Sequence, residues 1–303
     1  MRVSTGMLQE TALNELQTVW SRLQKLQSNM ATGRRIHRPS DDVIGSSHVM
    51  RASGNIRMAE QYKRNLAESR QFAMATESAL VRLVDLADTI QMIAVQVADE
   101  SYGPDSRGGL ATELDGLLEE ALGLANTSNA GMQLFGGFET REESYTADTD
   151  GEGNLVAVRR QGQGLDGELK RSVGENVLLT INLTGTDLFG EEQEFFKNLI
   201  ALRDIARAGD CQAARDLVGT LLEDQDRINL AQAVTGGLLS RMDGMEEWLD
   251  HQILELEATR SEFEDLDMAR ASLDYQKEQA ILQAALSATV QIMDLSLVQF
   301  MVR

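Results

Sequence analysis

Between Gly54 and Gly103 the chain contains neither glycine nor proline, and two sets of residues recur there every seven positions. Ala59, Leu66, Ala73, Leu80, Ala87 and Ala94 form the first set, and Tyr62, Ser69, Thr76, Leu83, Ile90 and Val97 follow them three places later. Interlocked sevens lie on one face of an α-helix, and this one would run about 70 Å at about 1.5 Å per residue. A seam of that length needs another helix to cover it.

Two partners are available. After the turn residues Tyr102-Gly103-Pro104-Asp105, Leu110, Leu114, Leu117, Ala121, Leu124, Ser128 and Met132 step by threes and fours, which predicts an antiparallel companion helix. In the carboxyl half the same spacing runs through Leu217, Leu221, Ile228, Ala231, Leu238, Met242, Met245 and Leu249, then Leu256, Phe263, Leu266 and Leu273. Gly236 and Gly237 interrupt it, as a local irregularity or a close helix crossing. From Met245 to Arg303 no glycine or proline occurs, so one continuous helix of about 90 Å is allowed. At the amino end Leu13, Leu16, Trp20, Leu23, Leu26 and Met30 line a shorter helix that stops near Gly33, with Arg34 and Arg35 beside its carboxyl end. Ser40, after Pro39, is the expected cap of a helix starting at Asp41 and Asp42.

The middle has another texture. Tyr145 to Thr149 and Leu155 to Arg160 flank a Gly-containing turn, and Leu169 to Val173 and Val177 to Leu183 flank a second one, a pattern that predicts a small antiparallel sheet. Glu191 to Ala208 then reads as a helix with Phe195, Leu199 and Leu202 on one side. The fold class is mostly α with an inserted small antiparallel β domain, a long helical rod being built from both chain termini. The domains expected are inner terminal helices at 1–45 and 270–303, an outer helical rod at 46–137 and 191–269, and the β insertion at 138–190.

The last segment, from Ile281 to Val302, is apolar around most of its circumference, which demands burial. One thin amino-terminal helix cannot enclose it, so the missing cover is expected from neighbouring subunits. Each fully covered Leu or Phe would contribute roughly 1.5 to 3 kcal/mol. The terminal arms are therefore expected to be adhesive, with Leu16, Trp20, Leu23, Leu286, Met293, Leu297 and Phe300 as candidate assembly residues.

The remaining chemistry is sparse. A formal charge of −20 argues against a nucleic-acid partner. Cys211 stands alone, so no disulfide forms within the chain, and no apolar run has the length of a signal peptide or a membrane span. Gly162-Gln163-Gly164-Leu165-Asp166-Gly167 spells a dinucleotide fingerprint but lies among β-prone segments with no helix to open. Asp148, Asp150 and Glu152 imitate a calcium loop whose twelfth position is Arg159, where a bidentate Glu is required. His37, His48 and His251 have no metal-binding spacing. No catalytic, metal or cofactor site is expected.

Ala31 to Gly45, reading Ala-Thr-Gly-Arg-Arg-Ile-His-Arg-Pro-Ser-Asp-Asp-Val-Ile-Gly, closely resembles the signature between the first two helices of bacterial flagellins. Asn129 to Gly137 is similar to the segment that marks the hook-filament junction members of that family, and Gly237 to Glu246, Asp267 to Asp274 and Leu295 to Phe300 carry looser likenesses. The resemblance implies a subunit of a tubular polymer, with terminal helices toward the axis and the β region outward. It also implies export without a cleaved signal peptide, and an extracellular position at the hook-filament junction. The partners implied are other copies of itself, the first junction protein bound to the hook, filament flagellin, the filament cap during assembly and a dedicated export chaperone, with no membrane and no reaction. Arg34, Arg35, Arg38, Asp41 and Asp42 would then form a charged spoke that sets register between protomers. The competing expectations are an ordinary filament flagellin and, in another class, a secreted adhesin or binding module.

Overall fold

In the computed structural model, residues 5–139, 141–151, 153–162 and 164–301 are described, with the side chains of 5, 6, 8, 9 and 292–301 excepted. Among the described residues seven helices and six short strands follow in order: α1 (Thr5–Thr32), α2 (Val43–Ala98), α3 (Pro104–Ala125), β1 (Ser128–Asn129), β2 (Met132–Gln133), β3 (Tyr145–Thr149), β4 (Leu155–Arg160), β5 (Lys170–Gly174), β6 (Val177–Thr180), α4 (Gly185–Phe189), α5 (Glu194–Ala208), α6 (Cys211–Glu264) and α7 (Met268–Met301). The chain divides into two compact units, residues 1–58 with 251–303, and residues 59–250. The class is mostly α with an antiparallel β insertion, and the two terminal helices pack together.

In the unit of residues 59–250, the sevens on α2 are buried as their spacing demands: all six of the first set are 5% exposed or less. A third set, Phe72, Ala79, Leu86 and Ile93, is buried beside them. Two stripes suit one partner; the third turns toward α3, whose Leu117 and Glu120 line a surface hollow together with Leu86. Along α6, Ala214, Leu221, Ile228, Thr235, Met242 and Leu249 are buried every seventh residue. Polar pairs fix the direction: Lys63 meets Asp250, Arg70 meets Asp243 and Glu246, Gln225 donates to Asp88, and Arg215 meets Glu100. From Lys63–Asp250 to Asp88–Gln225 the α2 number rises by 25 while the α6 number falls by 25, so the helices run antiparallel without slipping register. Gly236 and Gly237 mark no crossing; α6 continues through them, and an added Cβ at either would meet nothing within 4 Å.

The β region is three separate two-stranded antiparallel hairpins, β1 with β2, β3 with β4 and β5 with β6, in place of one expected sheet. Ser128 and Met132 belong to the first hairpin, because α3 ends at Ala125 and Asn126 turns outward to clamp β3. The Asn126 amide donates to the Tyr145 carbonyl at 2.7 Å and its oxygen accepts from Tyr145 N at 3.0 Å, replacing a missing strand neighbour. Hairpins this small need a core from elsewhere. Four of the eight phenylalanines supply it: Phe135, Phe189, Phe195 and Phe196 gather around buried Tyr145, with ring centroids 5.0 to 6.3 Å apart. Arg203, 3% exposed, pins the cluster by donating to the Leu155 carbonyl at 2.6 Å while pairing with Asp115 and Asp204.

In the terminal unit, α1 and α7 pack side by side. Ala12, Leu16, Val19, Leu23, Leu26 and Met30 are shielded on α1, and Ala271, Tyr275, Glu278, Leu282, Ala285 and Thr289 on α7, both at alternating steps of three and four. This seam is narrower than the apolar surface. Leu13 and Trp20, expected on the stripe, sit one position off it and are 55% and 53% exposed, and Leu273 is 67% exposed. A single partner helix covers only the central rows.

One helix that the sequence allows does not form, and one expected cap fails. The carboxyl segment is not one helix, since it breaks at residues 265–267 without glycine or proline. Ser40 does not cap α2; Asp42 does, accepting from Gly45 N at 2.9 Å.

Candidate functional site

The break between α6 and α7 lies against the linker from α1 to α2. Gly33, with φ +71°, ends α1 in the left-handed conformation that glycine adopts without penalty. The next residues form a strand-like bridge with Asp265: Arg35 N donates to the Glu264 carbonyl at 2.7 Å, and Leu266 N donates to the Gly33 carbonyl at 2.9 Å. Arg34 and Arg35 therefore serve the end of α6 rather than the end of α1. The Arg34 guanidinium meets Glu264 at 2.8 Å, and Arg35 Nη2 donates to the Phe263 carbonyl at 2.9 Å. The Phe263 and Glu264 carbonyls that Arg35 meets are ones left without helical partners at a helix terminus, while Arg34 pairs with the Glu264 carboxylate.

Two adjacent carboxylates shape the rest of the linker. Asp41 accepts from His37 N at 3.1 Å, Arg38 N at 3.0 Å and Lys25 Nζ at 2.9 Å. The Lys25 bond, followed by those two backbone donors, holds its carboxyl down at about 2. Asp42 caps α2 and accepts from Arg35 Nη1 at 3.0 Å; the Gly45 amide first, then Arg35, keeps its carboxyl below the usual range. Gly45 has no room for a side chain, since a Cβ there would lie 2.6 Å from the Asp42 carboxylate and 2.7 Å from Ile36. His48 stacks on Phe263 with centroids 4.4 Å apart, and buried Asn29 bonds the His37 ring at 3.0 Å.

Four of the five charged spoke residues thus engage their own chain, while the Arg38 side chain is exposed. Leu16 and Leu23 lie in the α1–α7 seam; Trp20 and Leu286, 53% and 48% exposed, lie outside it. Met293, Leu297 and Phe300 are on α7 but outside the described side chains. The sequence reading missed Val43 and Ile44, each 73% exposed in the first turn of α2, and Leu254, 63% exposed on α6. Their signal was apolar residues outside the heptad seam.

The decoy motifs have structural employment. Gly164 O accepts from Phe138 N at 2.9 Å, and a Cβ on Gly167 would strike the Phe138 ring at 2.3 Å, so these glycines wrap an aromatic side chain. Asp148 pairs with Arg159, and Asp150 accepts twice from Asn154 to close its hairpin; Glu152 and Gln163 lie outside the described residues. Among the described residues no cluster of three metal-binding side chains occurs, and no helix is long and apolar enough to cross a membrane.

Residues 3–140 match the bacterial flagellin N-terminal helical region and residues 220–301 the bacterial flagellin C-terminal helical region. Flagellar hook-associated protein 3 of Salmonella typhimurium is 25% identical, with 99% of each chain covered. The flagellar filament 33 kDa core protein of Treponema phagedenis is also 25% identical, covering 89% of this chain and 88% of its own. In fold, the crystal structure of flagellar hook-associated protein 3 from Legionella pneumophila superposes with a TM-score of 0.62 at 12% identity, over 71% of this chain and 98% of that one. The paired terminal helices, the signature linker between α1 and α2 and the matches in both halves agree: the chain belongs to the bacterial flagellin family.

Proposed function

We propose that this chain is a structural adaptor of the bacterial flagellum, polymerising through its terminal helices at the hook-filament junction and linking the first junction protein to filament flagellin. The observation that carries the reading is the end-to-end likeness to hook-associated protein 3, which spans the β region as well as both helical halves. The apolar surface left around the α1–α7 seam supports it, because Trp20, Leu273, Ile281, Leu286 and Val290 are each at least 39% exposed within the chain. Subunits in a helical polymer meet through two different faces, so the contact does not close on itself and the neighbours above and below can differ. The role is mechanical and needs no cofactor.

In this reading residues 1–45 and 270–303 face the axis, 46–137 and 191–269 form the supporting layer, and 138–190 faces outward. Export proceeds without a cleaved signal peptide, a dedicated chaperone holds the terminal helix, and the cap is met during assembly. Arg38 is the spoke residue free to reach a neighbour, so Arg38→Glu reduces incorporation; Asp42, engaged in capping α2, is a poorer probe. The second reading, filament flagellin, is favoured by the Treponema core protein's similar identity. A tag placed within 138–190 and imaged on intact flagella decides: a ring at the hook boundary supports the adaptor, and label along the filament overturns it.

A further inference from the structure

We infer that the break between α6 and α7 is imposed by the α1–α2 linker, so that the carboxyl arm is a two-state element: one continuous helix when the linker is undocked, two helices when it is docked. The local sequence offers no reason for a stop. Residues 245–303 hold no glycine or proline, and the break itself is Asp265-Leu266-Asp267. Aspartate is a mediocre helix former but does not end a helix.

The bonds at the break are competitive. In an uninterrupted helix the Asp267 amide would donate to the Phe263 carbonyl and the Met268 amide to the Glu264 carbonyl. Arg35 occupies both, the first with Nη2 at 2.9 Å and the second with its backbone N–H at 2.7 Å. The Leu266 amide is drawn away to the Gly33 carbonyl at 2.9 Å, and Asp267, released from the ladder, caps α7 by accepting from Arg270 N at 3.1 Å. One linker residue thus supplies the donors that the next helical turn would have supplied.

Docking also sets which face α7 presents. The α6 stripe passes through Leu249, Leu256 and Phe263 in sevens, whereas the α7 stripe begins at Ala271, eight residues on. Fusing the helices would carry the α7 side chains around the axis by about 100°, the turn of one residue. The linker therefore selects the row that meets α1.

Residue-resolved amide hydrogen exchange on the full chain tests this. Arg35→Pro removes the backbone donor and the guanidinium together. Exchange at Asp267, Met268 and Ala269 is then expected to slow about tenfold, the order of one net hydrogen bond per amide. Met268→Pro is the counter-variant. Position 268 is the first of α7, where proline is accommodated, but within a continuous helix it is excluded. Alone, it leaves the Leu266 and Arg35 amides at least as protected as in the unaltered chain; combined with Arg35→Pro, it abolishes the slowing at Asp267 and Ala269. Unchanged or faster exchange at 267–269 in Arg35→Pro, or loss of protection at Leu266 and Arg35 in Met268→Pro, overturns the inference.

Discussion

Trp20 and Leu23 sit three residues apart on α1, and the structure assigns them opposite tasks. Leu23 is 8% exposed in the α1–α7 seam, and Trp20 is 53% exposed beside it. A tryptophan carries roughly 250 Å², so about 130 Å² remains in water, and covering it in an assembly would contribute about 3 kcal/mol at about 25 cal/mol per Å². Alanine keeps part of that area. Trp20→Ala is therefore expected to cost about 2 kcal/mol of assembly, or about thirtyfold in the concentration needed for incorporation, with little change in the melting of the purified chain. Leu23→Ala, which empties a packed site, should destabilise the terminal unit by about 3 kcal/mol. Thermal unfolding followed by circular dichroism reads one effect, and the ratio of tagged protein in isolated flagella to protein shed into the medium reads the other. Normal incorporation of Trp20→Ala, or a melting loss equal to that of Leu23→Ala, would refute the division between interface and core.

Other outcomes follow from single contacts. Asp41 ionises more readily in the folded chain than unfolded, so its contribution to stability is complete above about 4 and is lost as the pH falls toward about 2; Asp41→Asn should flatten that part of an acid titration, and an unaltered acid limb would count against the Lys25 and backbone contacts. Arg203→Ala strips the Leu155 carbonyl of a buried charged donor and should cost about 2 kcal/mol, seen as faster proteolysis within the β3–β4 hairpin. Gly185→Ala places a Cβ 1.6 Å from the Tyr145 hydroxyl and should lower the unfolding midpoint of the 59–250 unit by an amount matching about 1 to 3 kcal/mol. Removing residues 281–303 should leave that unit's melting intact while abolishing incorporation.

The regular parts of this protein were legible in its sequence because their determinants are periodic and local. The sevens of Ala59 to Val97 placed α2 and its buried face, the strand pairs Tyr145–Thr149 and Leu155–Arg160 emerged from their turn residues, and Gly33 ended α1. The linker signature carried the family before any coordinates did. The expected stripes erred where burial depends on how many neighbours a helix has: α2 gained a third row, while Leu13, Trp20 and Leu273 lost their cover.

Tertiary structure alone decided the joint. No glycine or proline between Met245 and Arg303 announces a break, and the donors that end α6 belong to Arg35, more than two hundred residues earlier. In the same way Asp42, the residue before Val43, caps α2 in place of Ser40 while its carboxylate also meets Arg35, and the aromatic core of the hairpins joined rings from three segments. A helix face is written in neighbours three and four residues apart, so sequence specifies it; a helix end satisfied by a remote donor is specified only once the chain has brought that donor to it.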